Sequence, residues 1–389
     1  MKTIHLSIIT GAGIAVVVLS LVFFAGYDIF QTENFHAVKI EKLVDYERIW
    51  ATISPQTGDQ KNYIVIGDFD WSHDGKFLAF NMGAGAPISY LYTMDADGKE
   101  ITLANIPIVF NSVGDIHISP DNNSVYFIGQ YNVKNDTYQD IFRYYLNNQS
   151  YSLVTKNSHV HSFDFMPDGN LVYLETHSDS TRLEKYEPIF LIHSYAVLWL
   201  ASSDGNKIKP IHNGTQLFDG MVTSPDGGKI AFVSSDDPLH PSSNGTDIVN
   251  LGSLGGPIRN ESYYFTTFDM NTKEFTIIKK GVNGEFWNLK WISDDQILYE
   301  TLTNQMVQDK TIGEQSSPAG LLQMMTVSDH SSQILYGNQV EPYTSPLVGA
   351  AISPDKRSII FGINYDYSNG QLDGKGIYEM TFDKPLYSK

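Results

Sequence analysis

The chain has 389 residues, no cysteine, and 44 Asp and Glu against 26 Lys and Arg, a formal net charge of −18. The missing thiols exclude disulfides, thiolate metal sites and a cysteine nucleophile, and they leave the redox compartment open. The acidic balance repels phosphate backbones and argues against a nucleic-acid partner. The acids are dispersed, as on a solvated surface. An aromatic content of 13% with many Tyr, Phe, Ser, Asn and Gly residues suits strands and turns.

Residues 1–5 precede an uncharged stretch of 22 residues, Leu6–Tyr27. As a helix rising about 1.5 Å per residue it is long enough to cross a bilayer. Lys2 lies before it and Asp28 and Glu33 after it, so the N-terminus is expected in the cytoplasm and the rest outside, on a single-pass anchor. The alternative is a cleaved signal peptide and a secreted product. The bulky residues of Phe23-Phe24-Ala25-Gly26 fit a cleavage site poorly. Residues 28–47 read as a linker and 48–389 as one extracytoplasmic domain.

That domain carries six copies of one pattern, a short strand entering a Ser-Pro-Asp-Gly-type turn and then an aliphatic-aromatic strand. In order they read WSHDGKFLAF, ISPDNNSVYF, FMPDGNLVY, TSPDGGKIAF, WISDDQILY and ISPDKRSIIF. Two further strand-like runs follow each copy. In the first unit the four runs are Phe69–Trp71, Phe77–Asn81, Ser89–Met94 and Glu100–Ala104, the last two joined by the hairpin Asp95-Ala96-Asp97-Gly98. Four antiparallel strands per unit, repeated at intervals of tens of residues, predict an all-β, six-bladed β-propeller. The sixth unit runs short, and Arg48–Ser54 (RIWATIS) reads as the N-terminal strand that closes the last blade. Without such a strand the ring would have a seam with two exposed edges.

The turns resemble those of the TolB-like and WD40-like propeller repeats of the PD40 type. The resemblance is strongest in ISPDNNSVYF, TSPDGGKIAF and ISPDKRSIIF and covers residues 48–384. It implies the fold. TolB's partners do not carry over, because no sizeable α/β domain precedes the ring here. The chain also has no G-x-S-x-G sequence, which separates it from the propeller-bearing serine peptidases.

The turn aspartates Asp74, Asp121, Asp168, Asp226, Asp294 and Asp355 are read as structural, accepting nearby backbone N–H groups. The first strand of each blade lines the central channel. Its alternate positions Asp70, His117, Asp164, Val222, Lys290 and Ala351 fall on one side. Asp70, His117 and Asp164 are the candidate catalytic residues, able to converge on a cation or to act as acid and base. Equally, they could hold channel water or tie one blade to the next. His159 and His161, on one strand, are the candidate metal ligands, without a carboxylate or cysteine at a defined offset. Asn-x-Ser/Thr at Asn122, Asn135, Asn148, Asn213, Asn244 and Asn260 permits surface glycosylation.

The connections between strands two and three are long in blades three to five: His177–His193, Ser234–Ser262 and Leu302–Ala319. By topology they share one face, and long loops on a rigid scaffold commonly carry function. The expected function is a membrane-anchored extracytoplasmic scaffold that binds a protein, peptide or glycan through these loops, without a cofactor. The alternative is a propeller-type lyase or hydrolase using Asp70, His117 and Asp164 in the channel, with or without a divalent metal.

Overall fold

The computed structural model describes residues 37–49, 51, 64–84, 89–134, 136–156, 158–182, 189–214, 218–234, 246–250, 262–282, 286–308, 316–336, 348–363 and 376–387. The expected anchor 6–27 lies outside them. Among the described residues no helix is long and apolar enough to cross a membrane.

The chain opens on β1 (Ala37–Asp45). Blade one follows as β2 (Ile64–Trp71), β3 (Phe77–Ala84), β4 (Ser89–Asp95) and β5 (Ile101–Leu103). Blade two is β6 (Ser112–Ile118), β7 (Ser124–Val133), β8 (Asp136–Tyr145) and β9 (Ser150–Leu153). Blade three is β10 (Val160–Phe165), β11 (Leu171–Arg182), β12 (Ile189–Ala201) and β13 (Lys207–Gly214). Blade four holds β14 (Phe218–Thr223), β15 (Lys229–Ser234), β17 (Ser262–Asp269) and β18 (Phe275–Val282), with β16 (Thr246–Asn250) inserted after β15. Blade five is β19 (Trp287–Ser293), β20 (Gln296–Gln308), β21 (Ser316–Thr326) and β22 (Ser332–Tyr336). Blade six is β23 (Val348–Ile352), β24 (Ser358–Ile363) and β25 (Gly376–Phe382), completed by β1. Each blade is an antiparallel sheet in that order, so the fold is an all-β six-bladed propeller.

The core lies between blades, where each sheet presents one apolar face to the next. Ala79 and Leu91 of blade one pack with Ile116, Val125 and Phe127 of blade two. Tyr126 and Ile141 of blade two in turn meet Phe163 and Tyr173 of blade three. Aromatic residues fill these layers. Phe80 stacks on Phe69 and Tyr92, with ring centroids 5.6 and 5.2 Å apart. Such pairs add about 0.5–1.5 kcal/mol beyond the area they bury.

Ring closure differs from the sequence expectation. The strand that completes blade six is Ala37–Asp45, paired with β25 from Ala37↔Phe382 to Asp45↔Gly376. Arg48 lies after it, in a short helical turn over residues 46–49, and is not part of a strand; Trp50 and residues 52–54 lie outside the described residues. The reason is visible in the packing. Val44, Tyr46 and Ile49 are buried with Ile66, Phe69 and Ile377, so this segment wedges between blades six and one. Arg48 then donates to the carbonyls of Gly98 (2.6 Å) and Lys99 in the β4–β5 hairpin.

The expected long loops are also partly strands. His177–Arg182 and Ile189–His193 prolong β11 and β12 as one continuous ladder, paired as far as Arg182↔Phe190. The β-branched and aromatic residues of IFLIHSY suit that extension. Leu302–Gln308 likewise belongs to β20 and Ser316–Ala319 to β21.

Candidate functional site

All six inner strands carry a register irregularity at the same place, between Ile66/Phe69, Gly114/His117, Val160/Ser162, Asp219/Val222, Trp287/Lys290 and Val348/Ala351. At four of them the bulging residue has a left-handed backbone: Asp115 (φ 49°), Gly220 (60°), Asn288 (51°) and Gly349 (61°). Asp and Asn tolerate this region better than other residues with a Cβ. The bulge re-aims the strand so that two positions two residues apart face the channel, both of them polar in blades one, two, three and five.

The column expected from the sequence lies toward the end of the channel that carries the Ser-Pro-Asp-Gly turns. There Asp70, His117, Asp164, Val222 and Lys290 line a cavity of about 590 Å³. A second column, not recognised in the sequence, comprises Asp68, Asp115, Ser162 and Gly220, and lines a separate cavity of about 380 Å³. Its signal was present: Asp68 and Asp115 stand two residues before Asp70 and His117, at the same strand period.

Both columns tie blades together. Asp68 accepts the backbone N–H of Asp115 (2.7 Å), and Asp70 accepts that of Ile118 (2.7 Å), joining blade one to blade two. Asp115 accepts Ser162 Oγ–H (2.9 Å) and Phe163 N–H (2.7 Å), joining two to three. Asp164 accepts Thr223 N–H (2.6 Å), and Ser162 Oγ accepts Met221 N–H (3.2 Å), joining three to four. From blade five, the Trp291 indole donates to the Val222 carbonyl (3.0 Å). Between blades six and one the tie is a close backbone approach, since a Cβ on Gly349 would lie 2.5 Å from the Gly67 carbonyl oxygen.

His117 is the centre of the polar half. Its Nε2 lies 3.2 Å from Asp115 Oδ1 and its Nδ1 3.3 Å from Asp164 Oδ1, while its ring packs edge-on against Phe163 with centroids 4.8 Å apart. With Asp115 hydrogen-bonded to Nε2 and Asp164 beside Nδ1, the two carboxylates favour the imidazolium form of the ring. Burial alone would lower the His117 pKa, but the Asp164 and Asp115 carboxylates outweigh it and hold the pKa above its ordinary value. Burial pushes Asp164 up, against the pull of His117 and of the Thr223 and Phe165 N–H groups. Those two effects oppose each other, and we take the ion pair as the resting state. Asp164 accepts two backbone N–H bonds, from Thr223 and from Phe165 (2.7 Å), which a carboxylate satisfies best. Asp68 is pushed up by burial and by the like charge of Asp115.

The remaining expected site residues are dispersed. His159 stacks on Tyr138, with centroids 6.2 Å apart, and His161 lines the second cavity. Among the described residues no group of three or more His, Asp or Glu side chains is arranged to hold a metal ion. Of the turn aspartates, Asp74, Asp121, Asp168, Asp226 and Asp355 each accept the N–H two residues on, at 2.8–3.2 Å. Asp294 instead accepts the N–H of Asp226 from the neighbouring turn (2.9 Å). Within the 234–262 insertion, β16 pairs antiparallel with β12, from Ile189↔Asn250 to His193↔Thr246. The insertions of blades three and four therefore share one sheet.

No protein-family model matches the chain, and no curated protein does. Among solved structures it is similar to a TolB-type protein of Agrobacterium tumefaciens, at 17% identity over 82% of this chain and 90% of that one, with a TM-score of 0.46. It is also similar to an oligogalacturonate lyase in complex with manganese (10% identity, 91% and 97%, TM-score 0.46). A third likeness is to the oligogalacturonate lyase of Vibrio parahaemolyticus (13% identity, 90% and 96%, TM-score 0.45). The six-bladed propeller itself rests on the order of the six sheets.

Proposed function

We propose that this protein is a membrane-anchored, extracytoplasmic binding scaffold that engages a protein, peptide or glycan through the strand two–three insertions of blades three to five. The observation that carries this reading is the pairing of β16 with β12, which joins two of those insertions into one extended sheet. Forming that ladder orders residues that the blades themselves do not need. β20 and β21 in blade five are prolonged at the corresponding connection, with Gln308 paired to Ser316. A rigid, extended rim of this kind suits a macromolecular partner, which is held by many modest contacts and not by one enclosed pocket.

The channel carboxylates favour binding over catalysis for a different reason. A general base must have a lone pair available to a substrate proton. Asp115 and Asp164 have both oxygens engaged, by the adjoining blade and by His117 or the Phe165 N–H, so moving them into a reaction would loosen the ring.

The test is affinity capture from native membranes with the full chain and with a chain in which residues 235–261 are replaced by a short turn. The scaffold reading expects a partner retained by the first and lost by the second. Capture of the same partner by both would overturn it.

A further inference from the structure

We infer that the turn-end cavity of the channel is a binding site for a small monocarboxylate carrying a hydroxyl or ammonium group beside its carboxylate, separate from the rim of blades three to five. Two lysines line the cavity of about 590 Å³, Lys290 from β19 and Lys356 from the β23–β24 turn. Among the described residues neither ammonium has a hydrogen bond or an ion pair within 4 Å, although Lys290 acts at longer range on Asp68 and Asp164. His117 is matched by the Asp115 and Asp164 carboxylates beside it, so the cations left to meet a ligand are Lys290 and Lys356, with Asp70 across the cavity. That pairing suits a carboxylate beside a hydrogen-bond donor, whereas the neighbouring carboxylates disfavour a phosphate dianion.

The rest of the lining fixes the remaining chemistry. Asp70 spends one oxygen, Oδ2, on Ile118 N–H; Oδ1 stays available to a donor on the ligand. Trp71 and Trp291 supply apolar surface.

Lys356 is also held at a backbone cost. The third position of the turn is left-handed in five blades, and it is Gly75, Gly169 and Gly227 in three of them and Asn122 in a fourth. Lysine at φ 61° there is disfavoured relative to glycine. Burial also pulls the Lys356 pKa down. The hydrogen bonds of this turn use the Lys356 backbone and not its side chain, which is left to line the cavity.

The probe is 3-phenyllactate, whose carboxylate, α-hydroxyl and ring match the lysines, Asp70 and the tryptophans. Its binding to the full chain is followed by calorimetry, beside 3-phenyllactamide and phenylalanine. The acid is expected to bind at millimolar concentration and the uncharged amide at least about tenfold more weakly. Phenylalanine distinguishes an ammonium-bearing from a hydroxyl-bearing ligand. Lys290→Met and Lys356→Gly should each weaken binding about tenfold. Lys356→Gly should leave the melting temperature unchanged or higher, which separates loss of the site from loss of the fold. Lys99→Gln, in the β4–β5 hairpin, should bind as the parent does. Absence of binding by both acids, equal binding of the amide, or unweakened binding by both lysine variants would overturn the assignment. A Lys99→Gln chain that bound as weakly as the other two would also overturn it, by showing a diffuse surface effect.

Discussion

Replacing His117 by glutamine should destabilise the propeller by about 3 kcal/mol at pH 6, and by much less at strongly alkaline pH. The imidazolium hydrogen-bonds Asp115 at 3.2 Å and is ion-paired with Asp164 at 3.3 Å, and it is 6% exposed. A hydrogen bond to a charged group contributes about 1.5–3 kcal/mol, and at 3.2 Å the lower end applies; the buried ion pair with Asp164 makes up the rest. A glutamine can donate to one carboxylate and leaves the other without its counter-charge, which in a buried setting is strongly destabilising. The sign of the pH dependence follows from the raised pKa of His117. The unfolded chain holds the His proton only below about pH 6.5, whereas the folded ring holds it to a higher pH. The stabilisation is therefore complete below the unfolded value and is lost as pH rises through the folded value. Urea unfolding of parent and variant at pH 6 and pH 9.5, by linear extrapolation, measures the difference at each pH. A difference that is the same at both pH values, or below about 0.5 kcal/mol at pH 6, would refute the imidazolium bridge.

Further outcomes follow from the seams. Gly349→Ala places a Cβ 2.5 Å from the Gly67 carbonyl oxygen and 2.6 Å from the Asp68 Cα at φ 61°, whereas Gly169→Ala, at φ 81°, meets nothing within 4 Å. Thermal melts should show about 1 kcal/mol lost at Gly169, from backbone strain alone, and at least about 3 kcal/mol at Gly349. Removal of Ala37–Asp45 should abolish cooperative melting, because β25 then becomes an open edge and the layer around Val44 is emptied. Arg48→Met, which loses the Gly98 and Lys99 carbonyls, should cost only about 1–2 kcal/mol by the same melt. Asp164→Asn should lower stability by about 2 kcal/mol in chemical denaturation, since the amide weakens the Thr223 and Phe165 contacts and deprives His117 of a counter-charge.

The architecture was legible because the repeat states it six times. Each Ser-Pro-Asp-Gly-type turn fixes a strand pair, and alternation within WSHDGKFLAF or ISPDKRSIIF fixes which side faces the core. The closing strand was misplaced because AVKIEKLVD carries charge at Lys39, Glu41, Lys42 and Asp45 and looks like a linker, while RIWATIS carries only Arg48. Edge strands carry such charge as protection, so apolar content was the wrong guide there. In the channel, period-2 counting found Asp70, His117 and Asp164 but stopped one repeat short of Asp68, Asp115 and Ser162. The bulge that turns both columns inward depends on left-handed residues such as Asp115 and Asn288, which sequence pattern does not mark. The long insertions were visible as length; their strand character was not, because β16 pairs with β12 across more than fifty residues of chain.

The most direct test of the scaffold account is photocrosslinking in native membranes from two positions. One probe replaces Ile248 in β16, on the blade three–four rim, and the other replaces Pro120, in a Ser-Pro-Asp-Gly-type turn at the opposite mouth. The account predicts a discrete macromolecular adduct from position 248 and none from position 120. An adduct from position 120 with none from position 248 would contradict it.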